Sequence, residues 1–79
     1  MKTLRERIEV DLVKFTESVS KANKLEFTKE ESTIFELSKM YAQDSKSWLD
    51  KGDLDTSFSS ISYAHGLLDA ILKIKHVIE

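Results

Sequence analysis

The sequence predicts an all-α protein, and more specifically a three-helix up-and-down bundle. The chain contains no proline and only two glycines, so few residues interrupt a helix. Apolar residues recur at steps of three and four along most of its length, which places them on one side of a helix. A chain of 79 residues is too short to build two cores. We therefore expect residues 1–79 to form a single helical domain.

The first helix is predicted over about residues 2–24. Its apolar residues fall on one stripe, and the opposite side is charged. Because such a stripe is typical of a helix that packs on a core, we expect it to face the other two helices. The stripe consists of Leu4, Ile8, Leu12, Phe15, Val19 and Ala22.

The second helix is predicted over about residues 28–51. Thr28 and Glu31 have the spacing of a capping box, in which each side chain accepts a hydrogen bond from the backbone N–H of the other residue. Gly52 is expected to supply the left-handed conformation that ends this helix. The predicted core stripe is formed by Ile34, Leu37, Tyr41 and Trp48, with Phe35, Ala42 and Leu49 beside it.

The third helix is predicted over about residues 54–78, with Asp53 as its N-cap. Its apolar residues cover most of the circumference, which indicates contact with more than one neighbour. One interpretation is that this helix packs against the other two helices together. A second interpretation adds a homodimer or docking surface near the end of the helix. The residues predicted for that surface are Ile71, Ile74, Val77 and Ile78.

The composition argues against several classes of function. Without cysteine, the chain has no disulfide, thiolate metal site or cysteine nucleophile. Its 12 basic and 14 acidic residues are interspersed, whereas a nucleic-acid surface needs clustered lysine and arginine. No uncharged run approaches the roughly 20 apolar residues that span a bilayer, and the N-terminus does not have the pattern of a signal peptide. We therefore expect a cytoplasmic protein that binds neither nucleic acid nor membrane.

The turn before helix three and the helix itself carry a specific sequence pattern. Lys51-Gly52-Asp53 leads into a helix with the run ISYAHGLLDA, which spans Ile61 to Ala70. This pattern resembles a small archaeal family catalogued as domain of unknown function 357. The resemblance implies a three-helix up-and-down bundle, and it implies no particular activity or ligand. Where the family favours alanine before the phenylalanine of this helix, the chain has Ser57, a small-for-small change that should matter little to packing.

Three residues of helix three have the side chains of a hydrolase triad. Ser62, His65 and Asp69 lie on roughly the same side of the helix. A nucleophilic serine, however, normally sits on a sharp turn beside free backbone N–H groups that stabilise an oxyanion. The N–H groups in the middle of a helix are already hydrogen-bonded. The pattern therefore predicts no enzyme, and no catalytic residues are assigned.

His65 and Asp69 also have the spacing of two metal ligands on one helix, and Asp44 on helix two is a candidate third ligand. Two ligands are a weak signal, and we predict no metal site or cofactor. The favoured interpretation is a histidine at the edge of the core. Its ring would be held by Asp69 or by a hydroxyl such as that of Tyr41.

Gly66 needs an explanation because glycine inside a helix costs about 1 kcal/mol relative to alanine. The favoured explanation is a close approach to the backbone by another helix or by a bulky ring such as Trp48 or Tyr41. A ligand cleft beside Gly66 is the alternative.

Two hypotheses of function follow. The first is a non-catalytic protein-interaction or oligomerisation module that uses helix three, with another protein or a second copy as its partner. The second is a bundle that binds a small molecule or a metal, and an accessory role beside a nucleotide-handling enzyme is one form of this hypothesis. The site for this second hypothesis would be formed by Ser62, His65, Gly66 and Asp69.

Overall fold

The computed structural model describes residues 1–76 and shows three α-helices joined by short connections. Helix α1 spans Leu4–Ala22, α2 spans Lys29–Asp50 and α3 spans Leu54–Ile74. The predicted all-α three-helix bundle is confirmed. Each observed helix is shorter than its predicted range, and α3 ends before His76, which has a positive φ of 60°. In the described residues, no helix is both long enough and apolar enough to cross a bilayer.

Local capping interactions determine where α1 and α2 begin. The predicted capping box of α2 is confirmed: the Glu31 N–H donates to Thr28 Oγ1 at 3.2 Å, and the Thr28 N–H donates to Glu31 Oε1 at 2.9 Å. Hydrogen bonds from Lys75 and from the Thr28 backbone hold the pKa of Glu31 below its usual value. Thr3 and Glu6 form a second capping box at the start of α1. Sequence analysis missed this box, although it has the same threonine-to-glutamate spacing.

The connection between α2 and α3 is also locally determined. Gly52 has a φ of 83°, as predicted, so this position is in the left-handed region that favours glycine. Asp53 caps α3 by accepting a hydrogen bond from the Thr56 N–H at 3.1 Å. This tight turn makes α2 and α3 an antiparallel hairpin.

Helix α3 is the central element of the bundle. It packs closely along α2 and also against α1, whereas α1 and α2 have little contact with each other. This arrangement agrees with the interpretation that the broad apolar surface of α3 serves two neighbours. The buried apolar residues are Ile8, Phe15, Ala22, Phe35, Leu49, Ile61, Ala64, Leu68, Ile71 and Leu72.

The predicted core face of α2 was only partly correct. Ile34 and Leu37 are each 36% exposed and Trp48 is 37% exposed. The buried residues of this helix are Phe35 and Leu49, which were predicted to lie beside the stripe, and Ser38 and Ser45, which were not predicted. The hydrophobic pattern pointed to the neighbouring stripe because two of the four buried positions are serines. The stripe predicted as core therefore lies at the edge of the bundle and is partly open to solvent.

Two buried serines allow α2 and α3 to pack closely. Ser45 Oγ donates to the carbonyl oxygen of Ser57 at 2.8 Å, and Ser57 Oγ donates to the carbonyl oxygen of Ser45 at 2.7 Å. The two hydroxyl oxygens are 3.1 Å apart. Because each side chain reaches the backbone of the other helix, this reciprocal pair leaves room only for small residues. The hydrogen bonds also remove the cost of burying the two hydroxyl groups.

Candidate functional site

His65 is held by the backbone of α1. Its Nε2 atom lies 2.8 Å from the carbonyl oxygen of Asp11, and its ring meets the ring of Phe15 edge-on at a centroid distance of 5.5 Å. The predicted partners of this ring, Asp69 and Tyr41, were therefore wrong. A histidine at the edge of the core was nevertheless the favoured interpretation, and the partly buried ring has that position.

The other three predicted ligand-binding residues do not join His65 in an enclosed site. Ser62, Gly66 and Asp69 are exposed on α3, whereas the His65 ring turns towards α1. Within residues 1–76, no group of three or more histidine, aspartate and glutamate side chains is placed to hold a metal ion. The arrangement leaves these residues on an open surface, where water competes for every polar group.

Gly66 has no close neighbour that would require a glycine. In the part of the chain that the structure describes, a Cβ atom added at this position would have no neighbouring atom within 4 Å. The predicted approach of Trp48 or Tyr41 to this backbone was wrong, because the ring of Tyr41 packs instead on Tyr63 at a centroid distance of 4.5 Å. Gly66 is therefore a destabilising residue on the exposed side of a regular helix.

We expect Gly66→Ala to raise the free energy of unfolding by about 0.5–1 kcal/mol, since alanine favours the helix and its methyl group is unobstructed. Urea denaturation followed by circular dichroism measures this change. Gly52→Ala is the matched control, and it should be destabilising because the φ of 83° strains any side chain. A loss of stability in Gly66→Ala would show that this position needs glycine in the folded protein.

The residues that were predicted to form an interface differ in their exposure to solvent. Ile71 is 1% exposed and belongs to the core of its own chain, so it has no surface left for a partner. Ile74 is 60% exposed. Val77 and Ile78 lie outside the described residues. Of the two that the structure describes, only Ile74 can contact another molecule.

A larger apolar surface lies along one side of the α2–α3 hairpin. Helix geometry puts the α2 stripe that was predicted as core on this side. Tyr63 and Ile74 of α3, which are 51% and 60% exposed, extend it. The edge-on contact between Tyr41 and Tyr63 joins the two helices within it. We call this surface the outer hairpin face, and it consists of Ile34, Leu37, Tyr41, Trp48, Tyr63 and Ile74.

The outer hairpin face is large for so small a protein. A fully exposed side chain of this size presents about 200 Å². The exposed fractions of its five most accessible residues therefore correspond to at most about 450 Å² of surface, most of it apolar. The largest apolar patch on a typical monomer is about 300–600 Å² and often has a function. The estimated area of the face is within this range.

A separate cleft lies on the other side of α2, where that helix faces α1. Its volume is about 230 Å³. Sequence analysis did not predict this cleft, because it depends on the distance between two helices and not on any local motif. The cleft is lined on α1 by Leu12, Phe15, Thr16 and Val19, and on α2 by Lys39, Ala42, Gln43 and Lys46.

Comparison with known protein families gives the same family as the sequence pattern at the α2–α3 turn. No curated protein matches this chain with significant similarity. The family described as "Protein of unknown function (DUF357)" matches residues 8–77. This range includes most of α1 and the whole of α2 and α3. The match covers nearly the full length, and the chain therefore belongs to the DUF357 family.

Proposed function

We propose that this protein is a non-catalytic interaction module that forms a homodimer through its outer hairpin face. The observation that carries the proposal is the set of exposed apolar side chains on both helices of the hairpin, which the contact between Tyr41 and Tyr63 joins across the two helices. Its exposed residues include tryptophan and tyrosine, which are enriched among the residues that contribute most to binding energy. The proposal retains the predicted role of α3 and adds α2 to it.

The size of the face supports a second copy as the partner. A stable interface of standard size buries about 800 Å² on each partner, and about 65% of a homodimer interface is apolar. Each subunit then contributes about 500 Å² of apolar area. The roughly 450 Å² available on the outer hairpin face is close to this requirement. Polar residues at its rim would contribute the remainder.

A two-fold axis through the face would bring two hairpins together as a four-helix layer. In such an arrangement the same patch is used by both subunits, and the surface must complement itself. The exposed parts of the Trp48 and Tyr63 rings would pack against the aliphatic side chains of the opposite copy. This packing would remove from water the stripe of α2 that the bundle itself leaves open.

The test is light scattering coupled to size exclusion, which measures the mass of the particle directly. The wild-type chain should elute with twice the mass of one subunit. Leu37→Asp and Ile74→Asp should each weaken association at least about 100-fold, because each would bury two unpaired carboxylates in a two-fold interface. Val13→Asp is the matched control, since Val13 is 62% exposed but lies on α1. It should leave the dimer intact.

Circular dichroism of each variant must show a helical protein. This control distinguishes dissociation of the dimer from unfolding of the subunit. A wild-type chain that remains monomeric at millimolar concentration would overturn the proposal. Dissociation of Val13→Asp with retention of the Leu37→Asp dimer would also overturn it, because the contact would then involve α1.

A further inference from the structure

We propose that the cleft between α1 and α2 is a binding site for a small amphipathic anion, meaning an apolar chain or ring that carries one carboxylate. None of the residues of the outer hairpin face lines this cleft. The inference is therefore independent of the proposed homodimer.

The floor of the cleft is apolar surface that the bundle does not cover. Leu12 and Val19 belong to the core stripe of α1, yet both remain partly exposed. The facing position on α2 is Ala42, whose methyl group is too small to fill the space between the helices. Small domains are stabilised by every buried methylene group, so an unfilled groove beside the core reduces stability. An apolar ligand would recover this burial.

The charged side chains that line the cleft are all basic. Lys39 and Lys46 lie seven residues apart on α2, which puts them two turns apart on the same side of the helix. Among residues 1–76, no carboxylate lines the cleft, although the chain as a whole has a net charge of −2. The charge of the cleft is thus opposite to that of the protein, and it favours an anion.

The two lysines differ in their availability to a ligand. Lys39 Nζ lies 2.8 Å from Glu36 Oε1 and 4.5 Å from the centroid of the Phe35 ring. Lys46 makes no ion pair within residues 1–76. Its ammonium group is therefore the free cation at the cleft. Gln43 lies between the two lysines in the sequence of α2, and its side-chain amide supplies a neutral hydrogen-bond donor at the cleft.

The dimensions of the cleft limit the ligand to a small one. Its volume of about 230 Å³ is below the roughly 300–1,000 Å³ that is typical for drug-sized ligands. A medium-length fatty acid or a single-ring aromatic acid has suitable dimensions. Its apolar part would lie on Leu12, Val19 and Ala42, and its carboxylate would reach Lys46.

Octanoate is the probe that we would use, and 1-octanol is its matched neutral control. Titration of the ¹⁵N-labelled full chain should shift amide resonances of α1 and α2 around the cleft. Octanoate should bind about tenfold more tightly than 1-octanol, because a hydrogen bond assisted by charge is stronger than a neutral one. Lys46→Gln should remove this difference, whereas Lys73→Gln on α3 should preserve it.

A second variant tests the apolar floor. Ala42→Leu places a larger side chain in the space between α1 and α2, so it should abolish the binding of both probes while the protein stays folded. Equal binding of octanoate by the wild type and Lys46→Gln would overturn the proposal. It would also be overturned if octanoate shifted only resonances of the outer hairpin face, or produced no shift at 10-fold excess over a millimolar protein sample.

Discussion

Ser57→Leu should lower the free energy of unfolding by about 3–5 kcal/mol. Overpacking a tight site costs about 1–3 kcal/mol. The two reciprocal hydrogen bonds between Ser45 and Ser57 would also be lost, at about 1 kcal/mol each. Ser57 is fully buried between α2 and α3, and its hydroxyl is bonded to the Ser45 carbonyl. A leucine at this position would force the two helices apart. A domain of this length has a total stability of about 4–12 kcal/mol, so a large part of it would be lost.

Urea denaturation followed by the fluorescence of the single tryptophan, Trp48, measures this effect. Ser59→Leu is the matched control, because Ser59 lies on the same helix but is exposed. It should change stability by less than about 0.5 kcal/mol. Ser57→Ala should cost only about 1 kcal/mol, since alanine fits the space and loses the hydroxyl alone. Equal stability of Ser57→Leu and Ser59→Leu would contradict the close packing described for α2 and α3.

Leu68→Ala should cost about 2–5 kcal/mol, the range measured for such truncations in protein cores. Leu68 is completely buried near the middle of α3, the helix that both other helices contact. The cavity would weaken the packing of the whole bundle. Thermal and urea denaturation both report the change, and the helix content of the variant in water checks that it still folds.

Val13→Ala is the control for this truncation. Val13 is 62% exposed on α1, so the loss of its methyl groups should change stability by less than about 0.5 kcal/mol. If Leu68→Ala cost no more than Val13→Ala, the central position of α3 in the core would be contradicted.

The candidate functional surfaces could be predicted only in part. Ile74 was predicted as an interface residue, and its exposure keeps it available for that role. Ile71, only three residues away, is buried, because three residues turn the helix by about 300° and leave the two side chains about 60° apart, on opposite sides of the edge of the core. The α2 stripe was recognised as apolar, but its apolar character could not reveal that it lies at the edge of the bundle.

The sequence by itself determined the number of helices, the cap at Thr28 and the turn at Gly52. These features depend on interactions between residues close together in the chain. The Thr28–Glu31 capping box spans three residues, and the conformation of Gly52 follows from its lack of a Cβ atom. Interactions of such short range can be identified from the identities of neighbouring residues alone.

Only the tertiary structure decided which side of α2 is buried and what holds His65. Ser45 is buried because Ser57, twelve residues away on another helix, satisfies its hydroxyl group. His65 is bound to the carbonyl oxygen of Asp11, which is 54 residues away. Every residue has a backbone carbonyl, so the identity of Asp11 does not indicate this contact. Its formation depends on how α1 lies on α3, and that is decided by the packing of the whole bundle.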